Sequence, residues 1–263
     1  MAYLGQQNVG GTQKPFVDGY VNVGGVLKKI VGGYQNVGGV LVPLLADNGI
    51  TVGSLAVGSS VWMNVGGTRT EFLVIHQGLP SSVYDSSCNG TWVLMKNIHG
   101  TETWEDTYEA GSCDYGNSKI PAYLNTFVNS LDSGVRSIVK QVKIPYRKKS
   151  GSTLTMATGS SGFSAKAFLL AYQEVGLSSS SYSEGLTTLA YFVGASNNTR
   201  IAYLNGTATK WILRSVSTSN GGAAIDNKGR GYYVNGYSDP GGVRPAMVLP
   251  SDALVDENNN VIV

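Results

Sequence analysis

The sequence predicts an α+β domain of short antiparallel strands with two or three helices, preceded by an arm of small β-hairpins. Three observations carry this prediction: a glycine-rich repeat at the start of the chain, one central segment with helical spacing, and short apolar runs separated by turn residues elsewhere. With 263 residues and 42% hydrophobic residues, the chain can bury one good-sized core and a small appendage.

The repeat is the motif NVGG at 8–11, 22–25 and 36–39. Gly5, Gly19 and Gly33 open the three units, and Phe16, Ile30 and Leu44 share one apolar position. Each unit reads as a strand, a Gly-Gly pair that accepts positive φ at a tight reversal, and a second strand such as 26–31. Hairpins this small are not stable alone. Residues 1–50 are therefore expected to form an attachment arm that docks on itself, on neighbouring subunits or on a larger assembly. A loose Gly-rich leader is the competing reading, against which Val26, Leu27, Ile30 and Val31 argue.

A fourth NVGG, at 64–67, is out of phase and predicts the first hairpin of the main domain, with strands at 61–65 and 70–75. The domain is expected to run over 54–263. In NSKIPAYLNTFVNSL, Ile120, Tyr123, Leu124, Phe127, Val128 and Leu131 fall at helical spacing. Asn117 or Ser118 is placed to cap this helix, and Pro121 lies in its first turn. Shorter helices are expected over 133–139 and 186–193. Strands are expected at 91–95, 168–172, 211–214, 231–234 and 243–249, with a terminal hairpin around the polar turn DENNN.

Composition narrows the function. Only 14% of residues are charged and the formal net charge is +2, so neither a phosphate-tracking basic surface nor an acidic tail is indicated, and no nucleic-acid partner is expected. No apolar run reaches the roughly twenty residues that a spanning helix needs, so no membrane insertion is expected. The opening MAYLGQQNVGG lacks the features of a signal peptide. A surface made polar by Ser, Thr, Asn, Gly and Tyr resembles extracellular binding surfaces, which fits release by cell lysis; a cytosolic protein is the alternative. Cys88 and Cys113 form no zinc or redox motif and stand either bridged or as two thiols. With only His76 and His99 in the chain, material for a metal site or a catalytic triad is scarce. No cofactor, no metal and no enzymatic activity are expected.

The strings EFLVIHQGLPSSVYD at 71–85, KQVKIPYR at 140–147, RIAYLNGTATKWILRS at 200–215 and GGVRPAMVLPS at 241–251 resemble, in that order, the domain of unknown function numbered 6273. That family is widespread in prophages and gut phages of Gram-positive bacteria. Its pairing of a WxLRS strand with a later GVRPA strand also looks like the C-type-lectin-like scaffold of formylglycine-generating-enzyme relatives and of diversity-generating-retroelement variable proteins. The resemblance implies a C-type-lectin-like domain that displays a ligand-binding face between those two strands. The enzymatic relatives rely on paired cysteines late in the fold, whereas here the last third has none. NVGG-type repeats look like those of phage tail proteins.

Alternation in KWILRS puts Trp211 and Leu213 on one face of a strand and Ile212 and Arg214 on the other. Trp211 reads either as a core anchor or as a ligand contact. Arg214 and Arg244 are expected as framework residues, because a guanidinium ties several carbonyls or carboxylates together. The segment between the two strands supplies the candidate ligand contacts Ser217, Thr218, Asn220, Asp226, Asn227, Lys228, Arg230, Tyr232, Tyr233, Asn235, Tyr237 and Asp239. Of Tyr232 and Tyr233, alternation leaves one facing outward. An ordinary polar loop would have similar composition. Asp226 and Asp239 lack the clustered carboxylates that calcium requires.

The expectation is thus a virion adhesin of the tail tip, fibre or baseplate. It would hold other virion proteins through 1–50 and a host-surface glycan or protein through the C-terminal segment. A homo-oligomer is expected, a trimer being the simplest symmetric form. The competing reading is a structural tail, baseplate or capsid-decoration protein.

Overall fold

The computed structural model describes residues 6–9, 12–15, 20–23, 26–29, 34–37, 40–43, 50–105, 114–150, 153–217, 221–235 and 239–263. The segments before residue 50 and residues 149, 150, 221 and 235 are described by backbone alone. The chain divides into two compact units, 1–49 and 50–263. In the first, Gln6–Val9 pairs with Thr12–Pro15, Tyr20–Val23 with Val26–Lys29, and Tyr34–Val37 with Val40–Pro43, all antiparallel.

In the second unit the principal strands are β1 (Ser60–Val65), β2 (Thr68–Gln77), β3 (Thr91–Met95), β4 (Gly100–Glu102), β5 (Val142–Ile144), β6 (Tyr146–Ser150), β7 (Thr153–Ala157), β8 (Phe163–Ala165), β9 (Ala167–Phe168), β10 (Trp211–Val216), β11 (Gly221–Ile225), β12 (Gly231–Asn235), β13 (Gly241–Val243) and β14 (Ala246–Leu249). One five-stranded sheet has the order β9-β14-β3-β2-β1, and a second has the order β4-β13-β10-β11-β12. The pairs β5–β8 and β6–β7 form separate small antiparallel sheets. Leu254–Val255 pairs with both Val261–Ile262 and Ile50–Thr51.

This architecture corrects the α+β, C-type-lectin-like expectation. The protein is mostly β, assembled from several small sheets that are antiparallel except where β10 pairs with β13, rather than one lectin-like scaffold. Among the described residues the α-helices are α1 (Ile120–Ser130), α2 (Ser133–Ile138) and α3 (Asn197–Arg200), 11, 6 and 4 residues long. The helical spacing at 120–131 marks a real element, but the segment expected as a helix over 186–193 has only a 3-10 turn at Ala190–Phe192. There Leu186, Leu189 and Phe192 are buried three residues apart, and the Leu189 N–H donates to the Glu174 carbonyl at 3.0 Å. An extended loop fastened to its neighbours buries the same three side chains that a helix would have presented.

The β1–β2 hairpin turns at Gly66 and Gly67, whose φ values of 58° and 76° suit a two-residue reversal between twisted strands. Its partner β3 is buried along its whole length, and Trp92 meets the rings of Tyr84 and Phe168 edge-on at 5.6 and 5.3 Å. Helix α1 buries Ile120, Leu124, Phe127 and Val128, each contributing about 1.5–3 kcal/mol of apolar transfer. Between β13 and β14 the chain passes from one sheet to the other across only Arg244 and Pro245.

Candidate functional site

The second sheet is held from behind by a buried ion pair. Strand β10 pairs with β11 at Trp211, Ile212 and Val216, and its register shifts between Ile212 and Val216. In that irregular stretch the Arg214 N–H donates to the Leu170 carbonyl instead. The bulge re-aims the strand toward 168–172. Arg214 and Glu174 both have fully buried side chains. Arg214 Nη1 donates to Glu174 Oε2 at 2.6 Å and to the Leu169 carbonyl at 2.7 Å, Nε donates to the Pro145 carbonyl at 2.8 Å, and Nη2 donates to Glu174 Oε1. Glu174 also accepts from the Tyr84 hydroxyl at 2.6 Å and from the Ala171 N–H at 2.8 Å. Burial alone would lower Arg214, but the Glu174 charge and hydrogen bonds outweigh it and hold the guanidinium above its usual range.

Three further charged side chains complete this frame. Arg244 is buried at the sheet-to-sheet step, where its Nε donates to the Met95 carbonyl at 2.8 Å and its guanidinium lies 4.9 Å from the Trp211 ring centroid. Burial pushes it down to about 10. Arg200 donates to the carbonyls of Val175, Gly176 and Ala195. Glu184 is buried and accepts from the Ser215 hydroxyl, and its burial raises the carboxyl above its ordinary range.

Trp211 belongs to this frame and not to a surface. It is fully buried, and its indole N–H donates to the Arg200 carbonyl at 2.9 Å. All six β10 residues are buried, so both faces of this central strand, that of Trp211 and Leu213 and that of Ile212 and Arg214, are core. Ser217, next along, is also buried.

The β11–β12 hairpin forms the outer edge of the sheet. Asp226 accepts from the N–H groups of Lys228 and Arg230 at 2.9 and 2.8 Å and from Arg230 Nε at 2.8 Å. Desolvation acts the other way, but these bonds and the Arg230 charge hold Asp226 below the usual carboxylate range. Gly229 has φ +76°, and a Cβ there would lie 1.8 Å from the Asn197 carbonyl oxygen. The turn is therefore fixed by its own carboxylate and seated on α3. Asn227, Lys228 and Arg230 are exposed around it. Tyr232 and Tyr233 are 49% and 45% exposed, so both reach solvent rather than one. At an edge strand neither face is fully covered. Asp239 pairs with Lys210. Thr218, Asn220 and Tyr237, and the side chain of Asn235, lie outside the described residues.

Two hollows lie away from this hairpin. One, of about 650 Å³, is lined by Arg147, Leu154, Met156, Ser180, Ser181 and Ser183, among others. The other, of about 450 Å³, runs beside α1, where His99 Nδ1 lies 2.8 Å from the Tyr123 hydroxyl and Glu102 pairs with Lys119 at 3.1 Å. Burial lowers His99 from its ordinary value. Among the described residues, no group of three or more His, Cys, Asp or Glu is placed to hold a metal ion, and no helix is long and apolar enough to cross a membrane. Cys88 is buried with its Sγ–H directed at the Lys143 carbonyl, and Cys113 lies outside the described residues.

Sequence reasoning missed Glu174, Glu184, Arg147 and Arg200. Glu174 left one signal, a lone acid at the end of the apolar run FLLAYQEV. The carbonyls that Arg147 holds, and those of Val175 and Gly176 that Arg200 holds, come from distant segments and leave no sequence trace.

The domain is mostly β, with a buried ionic frame behind one sheet and a tyrosine-bearing edge strand exposed to solvent. The chain belongs to the family described as Domain of unknown function (DUF6273), whose model matches residues 89–251. No curated protein and no solved structure matches the chain.

Proposed function

We propose that the protein is a bacteriophage or prophage virion adhesin of the tail tip, fibre or baseplate, which binds a host-surface glycan or protein and performs no covalent chemistry. The observation that carries the reading is the pair Tyr232 and Tyr233, about half exposed on the edge strand β12, beside Asn227, Lys228 and Arg230 on a locked turn. Tyrosine supplies large amphipathic area at little conformational cost, and the fixed hairpin lowers the ordering penalty of binding. The repeated short hairpins before residue 50 support attachment to other virion proteins, since such units need a neighbour for stability. A host-facing position in a homo-oligomeric particle, with a trimer as the simplest case, follows from the same reading.

The test is binding of labelled full-length chain to a panel of bacterial cells. Saturable binding to some strains is expected, with a loss of about tenfold or more in affinity for the Tyr232→Ala, Tyr233→Ala variant at unchanged thermal stability. Absence of binding to every strain, or full binding by the variant, overturns the proposal. A structural virion role is favoured by one feature: β12 is a sheet edge, able to accept a strand from a neighbouring subunit. Burial of 231–235 between subunits in an assembled particle would establish that role instead.

A further inference from the structure

We propose that the cleft between the β6–β7 hairpin and the serine loop at 178–183 binds an acidic glycopolymer, a hydroxylated chain bearing phosphodiester or carboxylate groups. This deepens the adhesin reading and rests on it, by naming the class of ligand and a second contact surface.

Charge is segregated along the chain. Residues 133–173 hold seven of its 19 Lys and Arg and none of its 17 Asp and Glu. Arg147 stands at the cleft with its Nη1 donating to the Ser181 and Val216 carbonyls at 2.7 and 3.0 Å and its Nη2 donating to the Ser183 carbonyl. Carbonyls fix the guanidinium in place without cancelling its charge, and among the described residues no carboxylate forms an ion pair with it. The nearby Glu184 carboxyl is buried and accepts from the Ser215 hydroxyl.

The walls suit a sugar chain. Leu154 and Met156 are half-buried and offer apolar area to a ring face, while Ser180, Ser181 and Ser183 are exposed on the opposite wall. The loop that carries them is fixed. Tyr182 is buried with its ring centroid 4.9 Å from that of Tyr172, and Gln173 Oε1 accepts from the N–H groups of Glu184 and Leu186 at 2.7 and 3.1 Å. A preformed cleft of about 650 Å³ is large enough for a few sugar or polyol units. Nucleic acid fits less well. The adjacent rings of Tyr146 and Tyr182 are buried, which leaves no stacking platform for bases.

The experiment immobilises poly(glycerol phosphate), polygalacturonate and neutral dextran and measures binding of the full-length chain at about 50 and about 300 mM salt. At least one acidic polymer is expected to bind about tenfold or more tighter than dextran, with affinity falling as salt rises. The phosphate and carboxylate arms identify the anion. Ser180→Asp, an exposed change, is expected to weaken binding about fivefold or more at an unchanged melting temperature. Arg147→Gln should weaken it at least as much, but Arg147 also braces the loop, so Ser180→Asp is decisive. Equal binding to dextran, equal binding to single-stranded DNA, or undiminished binding by a folded Ser180→Asp variant overturns the proposal. Cell binding that depends on Tyr232 and Tyr233 without binding to either acidic polymer defeats this inference alone. Failure to bind any cell defeats the adhesin reading whatever the polymers do.

Discussion

Glu174 accepts hydrogen bonds from three directions: the Arg214 guanidinium, the Tyr84 hydroxyl and the Ala171 N–H. A buried ion pair contributes little net stability when intact, because desolvation offsets most of the attraction, but removing one partner strands the other charge in a dry site. Glu174→Gln is therefore expected to destabilise the protein by about 3–5 kcal/mol, read as a lower urea midpoint with little change in slope. An unchanged midpoint would mean that water reaches Arg214. The same residue shows where sequence reading stops. The run at 168–172 reads as one strand, yet pairing ends at Phe168, because the polar main-chain groups that follow are taken up elsewhere. The Leu169 N–H donates to the Tyr115 hydroxyl, its carbonyl accepts from Arg214, and the Leu170 carbonyl accepts from the Arg214 N–H. Each partner lies more than forty positions away along the chain, beyond the reach of any local pattern.

At the scale of elements, legibility follows how local the determinants are. The β1–β2 hairpin is written in its Gly66-Gly67 pair and flanking apolar runs, and α1 in its apolar spacing and Pro121, although its N-cap is Lys119, which makes no side-chain cap bond, and not Asn117 or Ser118. The β11–β12 turn is only half legible. Its Asp226 and Gly229 mark a reversal, but nothing in the sequence says that the turn rests against Asn197. A pair of substitutions separates the two contributions. Gly67→Ala meets nothing within 4 Å and carries only the strain of positive φ, about 1–2 kcal/mol. Gly229→Ala adds a collision with the Asn197 carbonyl and should cost more, about 2–3 kcal/mol in all. Equal midpoint shifts for the two variants would show that the turn lifts off α3 without penalty. The polar, tyrosine-bearing character of the segment was legible, and Lys228, Arg230, Tyr232 and Tyr233 are exposed. Their roles were not, because the sequence does not distinguish Asp226, spent on its own turn, from Asn227 beside it.

At the scale of the whole molecule, the α+β pattern gave the helices too much weight and the strands too little. Helical spacing is conspicuous over eleven residues, whereas strands that, β2 apart, run only two to six residues leave faint signals that count for little until they are joined into sheets. Their joining depends on side chains buried between them, and one of these offers an unplanned means of timing the fold. The Cys88 thiol is wholly buried, and burial pushes it up to about 11, so the native protein presents almost no thiolate to a reagent. In a Cys113→Ser variant, modification by a disulfide reagent should be negligible in buffer. With urea, it should rise in step with global unfolding. Each modified molecule would then mark one that had opened, and a rate well above that of unfolding would show that the core admits solvent piecemeal.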